Sequence, residues 1–342
     1  MPIKNRLAKL KGVLTIALLL TISSCSVYKK PALGPDNEIY VLADETIFDT
    51  HYPQLESIFS HSIYTPTEEK LFTLNRITID EFHKGFSRYK NLILLANIDS
   101  DDAEAQFIKK MLTDGVLEGV RSGDYYYAVK KDAWSKNQTV LFLLDSKNVY
   151  LSGYLERFSD KLFGFFYDKM ITDIKTRLFD RFNNKTAQEF LLKEYKIDLF
   201  IPHEFYIGEQ GENKDKFIRF RRTNPDRWLT MLRTDYNSEI SFQENIIQTR
   251  DRIGKQFADS VRVNPEILSF VPDTTFVSDG LKAHGIWEYY DGGGPFFTYA
   301  FINNGTFYMI DGAVFAPSKD KYPYIMQLDL MAKTAKFPEI VK

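Results

Sequence analysis

Three short runs constrain the architecture of this chain more than any other feature. Glu38–Asp44 (EIYVLAD), Leu92–Ile98 (LILLANI) and Thr139–Asp145 (TVLFLLD) are β-prone and apolar almost without interruption. A strand with one wet face alternates, whereas a strand that does not alternate suits cover on both faces. Runs of this length also fit buried helix, so the pattern alone leaves both open. Leu71–Ile79 (LFTLNRITI) alternates in part. After Ser100-Asp101-Asp102, the residues Ala103, Phe107, Ile108, Met111 and Leu112 recur at helical spacing, with the acidic residues where a helix N-terminus favours negative charge.

Ser152–Phe182 carries the clearest helical pattern. Leu155, Phe158, Leu162, Phe166, Met170, Ile174, Leu178 and Phe182 recur every three or four residues, with charged residues between them. This predicts one long amphipathic helix laid on the first sheet, ended by Asn183-Asn184-Lys185. Beyond it, Asp198–Gly208, Phe217–Arg222 and Trp228–Tyr236 read as strands. Ser241-Phe242-Gln243-Glu244 has capping-box form ahead of a helical face at Phe242, Ile246, Ile253 and Phe257. A loop containing Pro265 and Pro272 then leads to Lys282–Tyr290, Phe296–Asn303 and Thr306–Phe315, an antiparallel set, and a last helix from near Ser318. The expectation is an α+β fold with mixed and antiparallel sheets and helices packed on one side. Its two sub-domains are residues 39–183, ending in the long helix, and 184–342.

The N-terminus carries an address. Lys4, Arg6, Lys9 and Lys11 precede the mostly apolar run Gly12–Ile22, which is too short for the ~20 residues of a spanning helix and suits a secretory signal. Ile22-Ser23-Ser24-Cys25 resembles the bacterial lipobox. That resemblance implies residues 1–24 as a cleaved signal, a diacylglyceryl thioether on Cys25 and acylation of its new amino group. Residues 25–38 would then be the lipidated cysteine and a flexible tether. Pro31, Gly34 and Pro35 discourage regular structure there, and a coil of this length spans on the order of 20 Å.

Cleavage would remove four of 44 basic residues, leaving 40 against 46 acidic ones, a balance of −6. That argues against nucleic acid, which needs concentrated Lys and Arg, and against a polybasic membrane contact. Cys25 is the only cysteine, so lipidation leaves no thiol for a disulfide, a metal or nucleophilic attack.

Catalytic spacings break off. His203-Glu204 begins a zinc-protease pattern, but Ile207 stands where the second histidine belongs. Ser278-Asp279-Gly280 lacks the leading glycine of a nucleophile elbow, Phe276 standing in its place. Ser87-x-x-Lys90 and Ser318-x-x-Lys321 have no Lys-Thr-Gly partner. Gly292-Gly293-Gly294 continues into Pro295-Phe296 rather than a phosphate-loop lysine. No catalytic residue, metal ligand or cofactor is expected from these patterns. Two binding candidates remain. Trp287, Gly293, Gly294, Pro295 and Phe296 place glycines between aromatic strands, for either a tight hairpin or close approach to a ligand. Arg219 and Arg221 would share one strand face, joined nearby by Arg227 and Arg233, and such a row could hold a carboxylate or phosphate.

The lipobox, Gly34 ahead of EIYVLAD, Phe165-Phe166, Gly285-Ile286-Trp287, Gly293-Gly294-Pro295-Phe296 and Gly312-Ala313-Val314-Phe315-Ala316-Pro317 together resemble a Bacteroidetes lipoprotein family of unknown function. The chain departs from it at Asp251-Arg252, where Asp-Ser is expected, and at Asn264-Pro265-Glu266. The resemblance implies location rather than chemistry. Ser26-Val27-Tyr28 lacks the acidic run of a surface-export signal, which favours an outer-membrane lipoprotein facing the periplasm. The expected function is binding or scaffolding of an envelope protein or glycan. A glycan hydrolase with dispersed carboxylates and a carrier of an apolar ligand are the alternatives.

Overall fold

The computed structural model describes residues 29–63, 68–147, 149–180, 182–211, 215–256, 261–290 and 292–338. The signal segment and Cys25 lie outside the described residues. The first half runs β1 (Glu38–Leu42), α1 (Glu45–Phe59), β2 (Ser62–Ile63), β3 (Glu69–Lys70), β4 (Thr73–Ile77), α2 (Ile79–Lys84), β5 (Asn91–Asn97), α3 (Ala103–Lys109), α4 (Asp114–Ser122), β6 (Tyr127–Lys131) and β7 (Thr139–Asp145). Two helices, α5 (Leu151–Arg157) and α6 (Ser159–Phe179), close it. The second half runs α7 (Lys185–Tyr195), β8 (Tyr206–Gly211), β9 (Lys216–Arg222), β10 (Asp226–Asp235), α8 (Phe242–Gly254), β11 (Arg262–Asp273), β12 (Gly280–Tyr289), β13 (Gly292–Asn303), β14 (Thr306–Phe315) and α9 (Tyr322–Ala332).

The class is α+β with two sub-domains. The first sheet has the order β4-β1-β5-β7-β6, parallel except for β6. The three apolar runs supply its adjacent central strands β1, β5 and β7. Ile39, Val41, Ile93, Leu95, Leu141 and Leu143 face α1, α5 and α6, while Leu42, Leu92, Leu94, Val140 and Phe142 face α2, α3 and α4. Helices therefore cover both faces of this sheet, which is why its strands read as continuous rather than alternating. The second sheet is antiparallel, in the order β11-β12-β13-β14-β10-β9-β8. One face, with Ile218, Phe220, Met231, Phe297, Tyr299 and Ile310, belongs to the same buried core as the first sheet, together with α6, α7 and α9. The other face is covered by α8.

The expected long helix is two. It breaks at Phe158, which caps α5 and precedes α6, and α6 ends at Phe179. The expected loop with Pro265 and Pro272 is β11, an edge strand, where a residue without an N–H is tolerated. Ser241 caps α8 as read, its Oγ accepting from the Glu244 amide at 3.1 Å. The full reciprocal capping box lies instead at Thr78 and Glu81.

The expected flexible tether is pinned over its described part. The Ala32 amide donates to the Lys136 carbonyl at 2.9 Å and the Lys136 amide to Lys30 at 2.9 Å. The Leu33 amide donates to Arg88, and the Lys90 amide returns to Leu33, each at 2.9 Å. Between sub-domains, the buried Glu69 carboxylate accepts from the amides of Lys321 (2.7 Å) and Tyr322 (3.0 Å) and from Lys321 Nζ (3.2 Å), capping the start of α9. Among the described residues no helix is long and apolar enough to cross a membrane.

Candidate functional site

Where α8 crosses the second sheet, a polar row runs through a largely apolar face. The register places Arg219, Thr230, Asp311 and Thr298 side by side across β9, β10, β14 and β13. On either side of the row the register sets Phe217, Leu232, Met309 and Ala300 in line, then Arg221, Trp228, Ala313 and Phe296. The row is knitted together. Arg219 Nε donates to Thr230 Oγ1 at 3.1 Å, and Thr298 Oγ1 donates to Asp311 Oδ1 at 2.6 Å. From above, Arg250 of α8 gives Nε (2.5 Å) and Nη2 (3.2 Å) to the Asp311 carboxylate. Its guanidinium lies over Phe296, Cζ 3.5 Å from the ring centroid.

Beside this row opens a cavity of about 320 Å³. Arg219, Arg221, Arg250 and Asp311 line it with Trp228, Trp287, Tyr289 and Phe315. The rings form a continuous wall. The Trp287 centroid lies 5.4 Å from Trp228, 5.8 Å from Tyr289 in stacked geometry and 6.0 Å from Phe315. Trp287 is 5% exposed, and its Nε1 has no hydrogen-bond partner among the described residues. Such an orphaned donor is uncommon in a buried site. Arg219 is 8% exposed with Cζ 5.6 Å from the Trp228 ring, and burial draws its pKa down to about 10, so it stays charged at neutral pH.

Three of the sequence candidates, Trp287, Arg219 and Arg221, thus meet in one cavity. Arg221 is held bidentately by Asp226, at 3.1 Å to each carboxylate oxygen from Nη2. The expected row does not extend to Arg227 and Arg233. Their strand parity turns them to the opposite face, where Arg227 meets Phe205, Tyr324 and Gln327. Phe296 supports Arg250 from below. Pro295 faces away, lining a broader groove with Phe297, Lys282 and Asp329 between the sheet, α6 and α9. Gly293 and Gly294 serve close strand approach. A β-carbon on Gly293 would sit 2.3 Å from the Trp287 carbonyl oxygen, and one on Gly294 1.8 Å from that of Val314. Neither has positive φ.

Arg250 and Asp311 were not legible as site residues, though both carried a signal. Arg250 falls on the apolar stripe of Ile246 and Ile253, and Asp311 on the inward alternation of Phe307, Met309 and Ala313. A charge on a buried face asks for a partner, and these two are each other's. No group of three or more potential metal-ligating side chains occurs among the described residues.

Residues 184–334 match the model of a domain of unknown function, DUF4837, and residues 32–179 that of another, DUF8532. Both matched families are domains of unknown function. No curated protein matches the chain. Among solved structures, the chain has some likeness to cyanobacterial PsbP from Synechocystis sp. PCC 6803, with 8% identity over 41% of this chain and 86% of that one, at a TM-score of 0.30. It also has some likeness to LpqN, involved in cell envelope biogenesis of Mycobacterium tuberculosis, with 12% identity over 41% and 81% and a TM-score of 0.27. Likenesses this slight carry no argument about function.

Proposed function

We propose that this chain is a lipid-anchored binding protein of the cell envelope, held at the outer membrane through Cys25 and facing the periplasm, which takes a small ligand in the cavity under α8. The cavity is the observation that carries the reading. It has the size of a small-ligand site, an apolar aromatic wall and a few convergent polar groups. The lipobox-like Ile22-Ser23-Ser24-Cys25 supports the anchor. The same cavity favours the carrier of an apolar-bodied ligand over a scaffold with no small-molecule site.

The glycan-hydrolase alternative fares less well. Asp226 and Asp311, which line the cavity, are each engaged by an arginine, Asp226 by Arg221 and Asp311 by Arg250, rather than left open to a substrate. Binding, not proton transfer, is what such a site does best. The test is thermal. Low-molecular-weight fractions of native envelopes should raise the melting temperature of the purified protein, by an amount that grows with ligand concentration over Kd. If no fraction raises it, the cavity is not a binding site.

A further inference from the structure

The first sheet is polarised in charge along its strands, and its basic end is the one where the chain enters the fold. On the reading that a lipid at Cys25 anchors the chain, we propose that this end docks on a membrane surface of anionic phospholipid headgroups. Its cations are Lys29, Lys30, Arg88, Lys130, Lys131 and Lys136; the five lysines are exposed and Arg88 is half-buried.

The backbone brings them together. β6 runs antiparallel to β7, so it ends at Lys130-Lys131 beside Val140 and Thr139, where β7 begins. The Thr139 amide donates to the Lys90 carbonyl at 2.8 Å, which sets that start next to the segment after Arg88. The entering chain lies across both, Pro31 bridging to Lys136 and Leu33 to Tyr89. Lys29 Nζ donates to the Asp132 carbonyl, just beyond β6.

Three observations point to headgroups. First, among the described residues none of the six cations has a carboxylate within ion-pair distance. Carboxylates that share this end are engaged within the fold. Asp36 takes Lys90 at 2.7 Å and Arg177 at 2.5 Å, and Asp173 takes Lys169 at 2.5 Å. Asp132 accepts from the backbone amides of Asn137 (2.6 Å) and Gln138 (3.2 Å).

Second, the other end of the sheet is acidic. Asp44 follows β1, Asp99, Asp101 and Asp102 follow β5, and Asp145 ends β7. The mature balance of −6, which by itself argues against a basic membrane contact, averages over this asymmetry. Seven-residue strands set the two ends ~23 Å apart, well beyond the screening length of ~8 Å. The basic end is therefore attracted without the acidic end being repelled.

Third, the lipid site and an apolar side chain share the basic end. Lys30 lies five positions after Cys25, and Leu33 is 45% exposed beside Arg88 and Lys90. Flexible lysines suit a fluid headgroup layer, which asks for charge density rather than fixed geometry.

The test uses the full chain as processed in native envelopes, extracted in detergent and added to two kinds of vesicle. One is phosphatidylcholine alone; the other is equal parts phosphatidylcholine and phosphatidylglycerol. A membrane-impermeant acetylating reagent modifies exposed lysines, and mass spectrometry reads each one. Lys30, Lys131 and Lys136 should react at least about fivefold more slowly on the anionic vesicles, the factor for about one lysine at such a surface. Lys147, exposed at the acidic end, should keep its rate. Salt at about 1 M, where the screening length falls to ~3 Å, should restore the rates seen on neutral vesicles. Lys130→Gln with Lys131→Gln should weaken the protection of Lys136. Equal rates on the two vesicles, or equal slowing of Lys147, overturn the docking face and leave the anchor standing. Slowing by inorganic phosphate on neutral vesicles assigns the cluster to a free anion and overturns it as well. Protein that stays off both vesicles removes anchor and docking face together. The wild-type comparison decides the matter even if the double variant does not fold.

Discussion

Gly294 passes so close to Val314 that a β-carbon would lie 1.8 Å from the Val314 carbonyl oxygen and 3.2 Å from Trp287 Nε1. The obstacle is backbone, so no rotamer change relieves it. Gly294→Ala should therefore cost about 3 kcal/mol or more, at the upper end for overpacking. Gly292→Ala makes the control, because its nearest neighbour is the far edge of the Phe315 ring at 3.2 Å. Urea unfolding of both variants checks this, and equal losses would contradict it.

Trp287 separates packing from binding. Truncating Trp287→Ala should cost ~3–5 kcal/mol, large against a total stability of roughly 5–15. Trp287→Phe keeps most of the ring area and removes an Nε1 that has no partner, so the loss should be ~1–2 kcal/mol. Because Nε1 is shut off from the cavity, the Phe variant should keep the thermal shift given by envelope fractions. A Phe variant that loses that shift would place Nε1 in the site.

Glu69 holds the two halves at one point, its carboxylate accepting from Lys321 Nζ and two amides at the start of α9. Glu69→Ala strands a buried ammonium and two N–H groups, and should cost ~3–5 kcal/mol. Denaturant unfolding measures it. A loss below ~1 kcal/mol, the range of an exposed pair, would show that water replaces the carboxylate there.

Asp329 gives the fold a pH dependence. It accepts from Lys282 Nζ at 2.6 Å and the Tyr299 hydroxyl at 2.7 Å, and pairs with Lys333 at 2.7 Å. Burial by itself would raise its pKa, but the two ammonium groups prevail and hold it below the ordinary aspartate value. The unfolded chain therefore binds the proton first as pH falls. The stabilisation is present in full above the unfolded value of ~3.9 and lost as pH drops through the folded one. Asp329→Asn should lose stability at about pH 7, and the gap to wild type should narrow toward about pH 3. A gap independent of pH would assign the loss to packing.

Growth with a labelled fatty acid should tag the wild-type protein and not Cys25→Ala, which should also leave the membrane fraction. Label on the alanine variant would refute the anchor.

The sequence disclosed what local chemistry decides and hid what pairing decides. EIYVLAD, LILLANI and TVLFLLD were legible as strands because burial on two faces erases alternation within a single run. That Arg219 and Arg221 face together was legible from the period of one strand. That Arg227 and Arg233 face the other way was not, because it depends on the register between β9 and β10. The break at Phe158 was hidden for a similar reason. Apolar spacing continues smoothly through it, although the backbone there leaves the helical region at ψ 19°. Trp287 was visible as an aromatic beside glycines. Its cavity was not, since α8 and Arg250 reach it only through the tertiary fold.

The hydrogen bonds from Lys30, Ala32 and Leu33 to Lys136, Arg88 and Lys90 bear on what a lipid at Cys25 would do. Only four residues would separate the acylated cysteine from the first fixed carbonyl, that of Lys30, five Cα steps and a reach of at most ~18 Å. A leash of that length sets more than proximity. It would restrict rotation, so that every copy turns the Lys136 edge toward the lipid and offers the same outward surface to whatever diffuses past. Lengthening the leash, rather than cutting it, is the change that would let an oriented molecule tumble freely.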